Sequence, residues 1–335
     1  MRIKKPFLIA EISANHCGSY SMAKKLIKSA KINGADAVKL QTYTADTMTI
    51  KSNKRYFKIK NGIWRGYQLW DLYNEAHTPW SWHKKLFKYA NNLGIKIFST
   101  PFDETAVDFL ESINCPMYKV SSFEMTDLPL IKKIAKTKKP IIISTGTSSI
   151  KEITEAYNVA KKFGSKKIIL LYCISNYPSL PEHFDLNNIK LLKQKFKCTV
   201  GLSDHSINNK VAITAVAMGA EDFEKHIALE KQKKGHDLEF SLKGNKLREF
   251  REDINLAYNL IKKKSIIRKD VKSKIFRRSI FASKNIKKGE VFTKYNIKKI
   301  RPGHGLSPKF YEILIGKRSK NNIEMGEPIT KKNYV

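Results

Sequence analysis

Cysteine is scarce in this 335-residue chain. The four present (Cys17, Cys115, Cys173, Cys198) are scattered and include no Cys-x-x-Cys pair. That pattern offers neither a disulfide framework nor a thiolate zinc site, and it suits a reducing cytoplasm. Long apolar stretches are missing too. No run approaches the roughly 20 residues that cross a bilayer, and the apolar start at 7–10 stops at Glu11, too short for the core of a secretion signal. Acidic residues are few: 30 Asp and Glu stand against 64 Lys and Arg, a formal charge of +34. Such an excess is one mark of nucleic-acid or anionic-membrane binding. There is, however, no basic block interleaved with aromatics. Lysines sit instead on the polar faces of most helix-patterned segments, as Lys24, Lys25 and Lys28 do, so the charge reads as compositional drift. We therefore expect a cytoplasmic protein with no nucleic-acid or membrane partner. The charge would still draw in an anionic substrate, more strongly at low salt.

What the chain has in quantity is short apolar runs at regular spacing. Eight occupy residues 7–13, 37–41, 96–100, 117–121, 140–145, 167–173, 199–203 and 222–226. Helix-patterned segments separate them. In 21–33, Met22, Leu26, Ile27 and Ala30 share a face before Gly34; segments 104–113, 128–135 and 151–163 behave likewise. Strands alternating with helices predict a parallel sheet, and eight such units predict a closed (β/α)8 TIM barrel of the α/β class. We expect the barrel over 1–262, a charge-rich linker over 263–275 and a small β-rich domain over 276–335. The small domain contains a repeat: Asn285, Gly289, Glu290, Thr293 and Asn296 recur as Asn322, Gly326, Glu327, Thr330 and Asn333. Two copies of a strand–glycine turn–strand unit predict a pseudo-symmetric fold. The one long connection is 42–79. Connections of that length usually carry function, and its aromatics (Tyr43, Tyr56, Phe57, Trp64, Tyr67, Trp70, Tyr73) either pack on one another or wall a substrate site.

Polar residues at the carboxyl ends of barrel strands read as an active site. Glu11, Lys39, Gln41, Thr100, Lys119, Ser122, Glu124, Ser203, Asp204, His205, Glu224 and His226 would ring that mouth. His205 and His226 end neighbouring strands, each near a carboxylate (Asp204, Glu224), which favours one shared divalent metal ion with carboxylate support. Two imidazoles without a thiolate favour a six-coordinate ion, Mn²⁺, Mg²⁺ or Co²⁺, able to polarise a carbonyl. Lys39 and Lys119, with hydroxyls from Thr100, Ser122, Ser144, Thr145 and Ser203, describe a phosphate and carboxylate cradle. A lysine Schiff base is the rival role, and pairing with Glu124 the bland one. Glu11 would orient hydroxyls or move a proton, or else simply pair with Lys39.

These residues lie in segments that resemble one family from end to end. They are Ala10-Glu-Ile-Ser-Ala-Asn-His16, Val38-Lys-Leu-Gln-Thr42, Ser99-Thr-Pro-Phe102, Tyr118-Lys119 through Glu124, Ile143-Ser-Thr-Gly146, Gly201-Leu-Ser-Asp-His205, Glu224-Lys-His226 and Arg301-Pro-Gly303. In this order they resemble the sialic acid synthase family of phosphoenolpyruvate-dependent nonulosonate synthases, and the carboxyl-terminal repeat resembles their antifreeze-like (SAF) domain. Stretches 40–49, 72–73 with 78–83, 101–109 and 122–124 resemble the branch whose acceptor is 2,4-diacetamido-2,4,6-trideoxy-altrose. The alternatives are N-acetylneuraminate or legionaminate synthesis and, more distantly, a Schiff-base aldolase. The resemblance implies the following roles. Glu11, His205 and His226 act in catalysis, with the two histidines holding the metal. Lys39, Thr100, Lys119, Ser122, Ser144 and Ser203 hold phosphoenolpyruvate. Gln41, Ser175, Tyr177 and Asp237 face the N-acylated amino sugar, and Glu124 belongs to the same substrate site. Arg301 reaches the sugar from the other subunit of a domain-swapped homodimer, and the product serves flagellin or surface-polysaccharide glycosylation. The chain departs from the family at Cys17, Thr147 and the loop Lys233-Lys-Gly-His-Asp237, the last bearing on Asp237.

Overall fold

Each of the eight apolar runs forms a strand, and each strand lies parallel to its neighbours. In the computed structural model, which describes residues 4–262 and 272–334, the strands are β1 (Phe7–Glu11), β2 (Ala37–Thr42), β3 (Lys96–Pro101), β4 (Tyr118–Val120), β5 (Ile141–Ser144), β6 (Ile168–Cys173), β7 (Thr199–Asp204) and β8 (Asp222–Ala228). They run in sequence order, and β1 pairs with β8 to close the barrel. Glu11 thereby lies opposite Lys39 on one side and His226 on the other. The TIM-barrel expectation holds. The helices begin where the sequence supplies caps: the side chains of Ser19, Asp103, Asp127 and Ser149 accept from free amides of the first turns. Gly34, at φ +87°, ends the first helix in a conformation only glycine takes without strain. The helices bury one apolar face against strands that are apolar on both faces, as a parallel sheet requires.

The 42–79 connection is structured. It contains the short helices Ala45–Met48 and Leu69–Ala76, and between them a hairpin closed by an antiparallel bridge from Lys58 to Gln68. Tyr43 and Tyr73 pack edge to face at 5.8 Å, and the Trp70 indole donates to Asp46 at 2.8 Å. Two buried histidines fasten its ends: His16 bonds Thr78 at 3.0 Å, and His83 bonds Thr42 at 2.9 Å. Burial pushes both imidazoles down to about 4. Because the folded values lie below the unfolded value near 6.5, this stabilisation is complete above pH 6.5 and is lost as pH falls from 6.5 toward 4, each histidine contributing on the order of 3 kcal/mol. We expect the urea midpoint to drop steeply between pH 7 and pH 5, with a shallower drop in His83→Gln. An equal drop in both proteins would contradict this.

The chain divides into two compact units between Lys264 and Ser265. The expected linker falls mainly on residues 263–271, outside the described residues; Lys272–Phe276 forms a 3-10 helix. In the second unit, Ser279–Ala282 pairs antiparallel with Ile297–Ile300 around a core of Ile280, Phe292, Leu314 and Ile329. The repeat is visible as a pseudo-dyad. Ile286 and Ile323 exchange backbone hydrogen bonds of 2.8 Å in each direction. The Asn322 side chain accepts from the Lys288 amide at 2.8 Å, and the Asn285 side chain from the Met325 amide at 2.7 Å. Gly289 and Gly326 turn at φ +83° and +92°. The copies meet through isolated bridges rather than continuous strands, so the expected strand–turn–strand unit is reduced to its turn. Among the described residues, no helix is long and apolar enough to cross a membrane.

Candidate active site

Side chains alternate along a strand, so within each rim segment every second residue points into the barrel. On β7 and β8 this sends Ser203, His205, Glu224 and His226 inward, and Asp204 and Lys225 outward. Asp204 and Lys225 form a fully buried ion pair of 2.9 Å between the strands and the helix layer, where the Lys225 ammonium also reaches the Ser206 carbonyl. Asp204 therefore does not support His205, contrary to the sequence expectation. The inward residues surround a cavity of about 500 Å³ at the mouth, floored by Lys39, Gln41, Lys119, Ser144, Ser203 and Glu224. That volume lies within the usual range for small-molecule sites.

Two lysines and Glu224 face the cavity at its floor, and Glu11, fully buried, pairs with Lys39 without lining the cavity. Lys39 pairs with Glu11, lies 3.7 Å from Glu224 and donates to Thr100 Oγ1 at 3.1 Å. Lys119 and the Ser203 hydroxyl both donate to Glu224 Oε1 at 3.3 Å. Lys119 thus pairs with Glu224 and not with Glu124. Burial pushes the Glu11 carboxyl above the usual range, and Lys39 only partly offsets it. Burial acts on Glu224 in the same sense, but Lys119 and Lys39 outweigh it and hold that carboxylate below the usual range. The same two carboxylates hold Lys39 charged against its burial. Neighbouring carboxyls pushed in opposite directions are a mark of divided roles. Burial also pushes Glu124, elsewhere on the cavity wall, up to about 7.

His205 and His226 stand with ring centroids 5.3 Å apart. The Nδ1–H of His205 donates to the Ile174 carbonyl at 2.9 Å, which leaves Nε2 as the lone-pair nitrogen. His226 Nδ1 is buried without a hydrogen-bond partner, 3.8 Å from Asp237. Burial, followed by His205 and the lysines, keeps His226 neutral far below the usual range. Burial acts on His205 in the same sense, but Cys173 and the Ile174 carbonyl outweigh it and push that ring above the usual range, so an ion bound at its Nε2 would replace a proton. One such nitrogen beside the orphaned one of His226 fits a divalent ion. Among the described residues no group of three or more His, Cys, Asp or Glu side chains converges to hold one, so the remaining ligands would be oxygens from substrate and water. Buried polar atoms rarely lack partners, yet Ser144 Oγ, Glu124 Oε2 and Glu224 Oε2 lack them here as well.

The other expected residues are placed as follows. Gln41, Ser122, Glu124, Ser144, Ser175, Tyr177 and Asp237 all line the cavity. Thr100 touches the floor through Lys39. Asp237, in spite of its unusual loop, is buried beside His226, and its carboxyl is pushed up to about 7 by burial. Arg301 lies exposed in the second unit, next to the strand Ile297–Ile300. Sequence reasoning missed Ser13, Gly146, Cys173 and Phe240. Ser13, in a left-handed conformation (φ +45°), gives its amide to Glu11 at 2.7 Å and its hydroxyl to Asp237, so it ties the two carboxyls together. Any side chain at Gly146 would collide with the hydroxyls of Ser122 and Ser175. Neither feature has a signal in spacing or composition. The packing of Phe240 against both histidine rings, at 5.9 and 4.9 Å, depends on a loop closure that no local pattern encodes.

Fold and site together define a (β/α)8 enzyme whose cavity floor gathers buried lysines, a carboxylate and hydroxyls beside paired imidazoles. Residues 26–265 match the NeuB family and residues 277–335 the SAF domain, and the chain belongs to the NeuB family. It is 42% identical over 333 residues to pseudaminic acid synthase from Campylobacter jejuni subsp. jejuni serotype O:23/36 (strain 81-176), covering 99% of this chain and 97% of that protein. It is 39% identical over 331 residues to pseudaminic acid synthase from Helicobacter pylori, covering 98% and 97%. Among solved structures, the spore coat polysaccharide biosynthesis protein SpsE from Bacillus subtilis superposes with a TM-score of 0.67 at 30% identity, covering 100% of this chain and 97% of that one. The family resemblance drawn from the sequence is borne out.

Proposed function

We propose that the chain condenses phosphoenolpyruvate, water and open-chain 2,4-diacetamido-2,4,6-trideoxy-altrose to pseudaminic acid and phosphate. The observation that carries this reading is the pair of lysines gathered on Glu224 beside the facing rings of His205 and His226, in a chain 42% identical to a pseudaminic acid synthase over nearly its whole length. Carbon 3 of phosphoenolpyruvate bonds to the aldehyde carbon, whose oxygen takes up a proton. Water adds at carbon 2, and phosphate leaves as the carbon 2–oxygen bond breaks. Lys39 and Lys119, with the hydroxyls of Thr100, Ser122, Ser144 and Ser203, hold the carboxylate and phosphate. Glu11, as the carboxylate whose proton affinity burial raises, takes the proton of the adding water and passes it on to the aldehyde oxygen. Gln41, Glu124, Ser175, Tyr177 and Asp237 orient the sugar. His205 and His226 would hold a divalent ion (Mn²⁺, Mg²⁺ or Co²⁺), which supplies Lewis-acid polarisation of the acceptor carbonyl. Arg301 of a second copy would contact the N-acyl group, in a domain-swapped homodimer; a planar guanidinium suits that contact.

A Schiff-base aldolase fits less well. Lys39 is held charged, and Lys119, though pushed down by burial, faces Glu224 at 3.3 Å. The test is phosphate release from phosphoenolpyruvate with Mn²⁺ across a panel of hexoses. We expect the altrose derivative to exceed both N-acetylmannosamine and the legionaminate precursor in kcat/KM, no borohydride trapping, and in Arg301→Ala a rise in sugar KM above any rise in phosphoenolpyruvate KM. Comparable rates with N-acetylmannosamine would overturn the choice of acceptor.

A further inference from the structure

The cavity is two-toned, and the division follows the chain. Its floor of lysines, a carboxylate and hydroxyls comes from strand ends. One wall is apolar, and Met48, Ile59, Trp64, Leu69, Leu72 and Tyr73 of that wall all come from the 42–79 connection. The wall is built rather than draped. The hairpin holds itself by bonds from the Ile59 amide to the Tyr67 carbonyl and from the Gly66 amide to the Ile59 carbonyl, both 2.9 Å. Its tip turns at Gly62 and Gly66, where φ is +81° and +98°. There Trp64 crosses the mouth: its indole N–H donates to the His236 carbonyl at 2.9 Å, and its ring lies 5.8 Å from Tyr177, which in turn lies 4.4 Å from His205. Tyr67 and His236 both reach Glu75, at 3.1 and 3.7 Å, and brace the tip from outside.

Phosphoenolpyruvate is a small polyanion and belongs on the floor. The wall is then left to the acceptor. A hydroxyl turned toward these side chains would lose water and gain no partner, a cost of about 1–3 kcal/mol. A methyl group there is instead favoured by burial. We infer that the apolar wall led by Trp64 and Ile59 is the specificity-determining surface for the acceptor, and that it selects the methyl-bearing face of a 6-deoxy, N-acetylated sugar against its 6-hydroxy analogue. The inference rests on the reaction proposed above and goes beyond it by assigning the choice of sugar to a segment that the floor chemistry does not use.

The test is kcat/KM for the 2,4-diacetamido-2,4,6-trideoxy sugar relative to the same sugar bearing a 6-hydroxyl, in wild type, Trp64→Ala and Ile59→Asn. One buried methyl supports a discrimination of roughly 10- to 200-fold. We expect the wild-type ratio to fall about tenfold in Trp64→Ala and several-fold in Ile59→Asn, with the phosphoenolpyruvate KM within twofold. Ile59→Asn keeps the Trp64 anchor, and circular dichroism checks that each variant folds. A ratio unmoved in folded variants, or a parallel rise in phosphoenolpyruvate KM, overturns the wall while the reaction stands. Wild type inert with both sugars overturns the reaction and the wall with it.

Discussion

His205→Ala and His226→Ala are each expected to cut phosphate release by about a thousandfold or more, the scale on which removing a key electrophilic contact acts, and to leave the fold intact. The structural reason is that neither ring is needed to hold the barrel. The polar contacts of the His205 ring are to the Ile174 carbonyl and, at 3.9 Å, Cys173 Sγ, both through Nδ1, and His226 Nδ1 makes no hydrogen bond. Deleting a buried polar atom that has no partner removes a cost rather than a support. Mn²⁺ titration followed by electron paramagnetic resonance should show tight binding in wild type and its loss in both variants, with thermal midpoints near the wild-type value. Near-wild-type rates in either variant, or unchanged Mn²⁺ affinity, would refute the assignment of the metal to this pair.

Lys39→Met should do the opposite to stability. Lys39 is the only cation paired with Glu11 among the described residues, and it also contributes to the charge balance of Glu224. Removing one partner of a buried pair typically costs about 3–5 kcal/mol, because the other is left charged and dry. We expect that loss in denaturant titrations, together with a fall of at least about a hundredfold in kcat/KM for phosphoenolpyruvate. The double variant Lys39→Met/Glu11→Gln should recover most of the stability and none of the activity. A single variant as stable as wild type, or a double variant no better than the single, would show that Glu11 does not depend on Lys39.

The fold was legible because strand and helix periods are local. The runs at 37–41, 96–100 and 222–226 became β2, β3 and β8 with their starts unchanged, and the polar residues closing them reached the mouth. Alternation then decided what a list of rim residues could not. Asp204 and His205 are neighbours in sequence and face opposite sides, so treating both as mouth residues was bound to misplace one. Contacts made across the barrel were not readable at all. The Ser13–Asp237 bond spans 224 positions, and the Trp64 anchor on His236 spans 172. Both depend on how far two loops lean over the rim, which no local pattern records. Asp237 shows the reverse. Its loop departs from the family, yet backbone and hydroxyl donors from the end of β1 still hold the carboxyl in the cavity.

The exchanged asparagine bonds of the second unit have a consequence for how that unit tolerates change. Each half caps the turn of the other, as two copies do in an isologous dimer, so neither half is self-sufficient. Damage to Asn285 would be felt first at Met325, forty residues away, and damage to Asn322 at Lys288. The two copies are therefore bound to vary together, as partners in a fused symmetric pair rather than as a spare and its original.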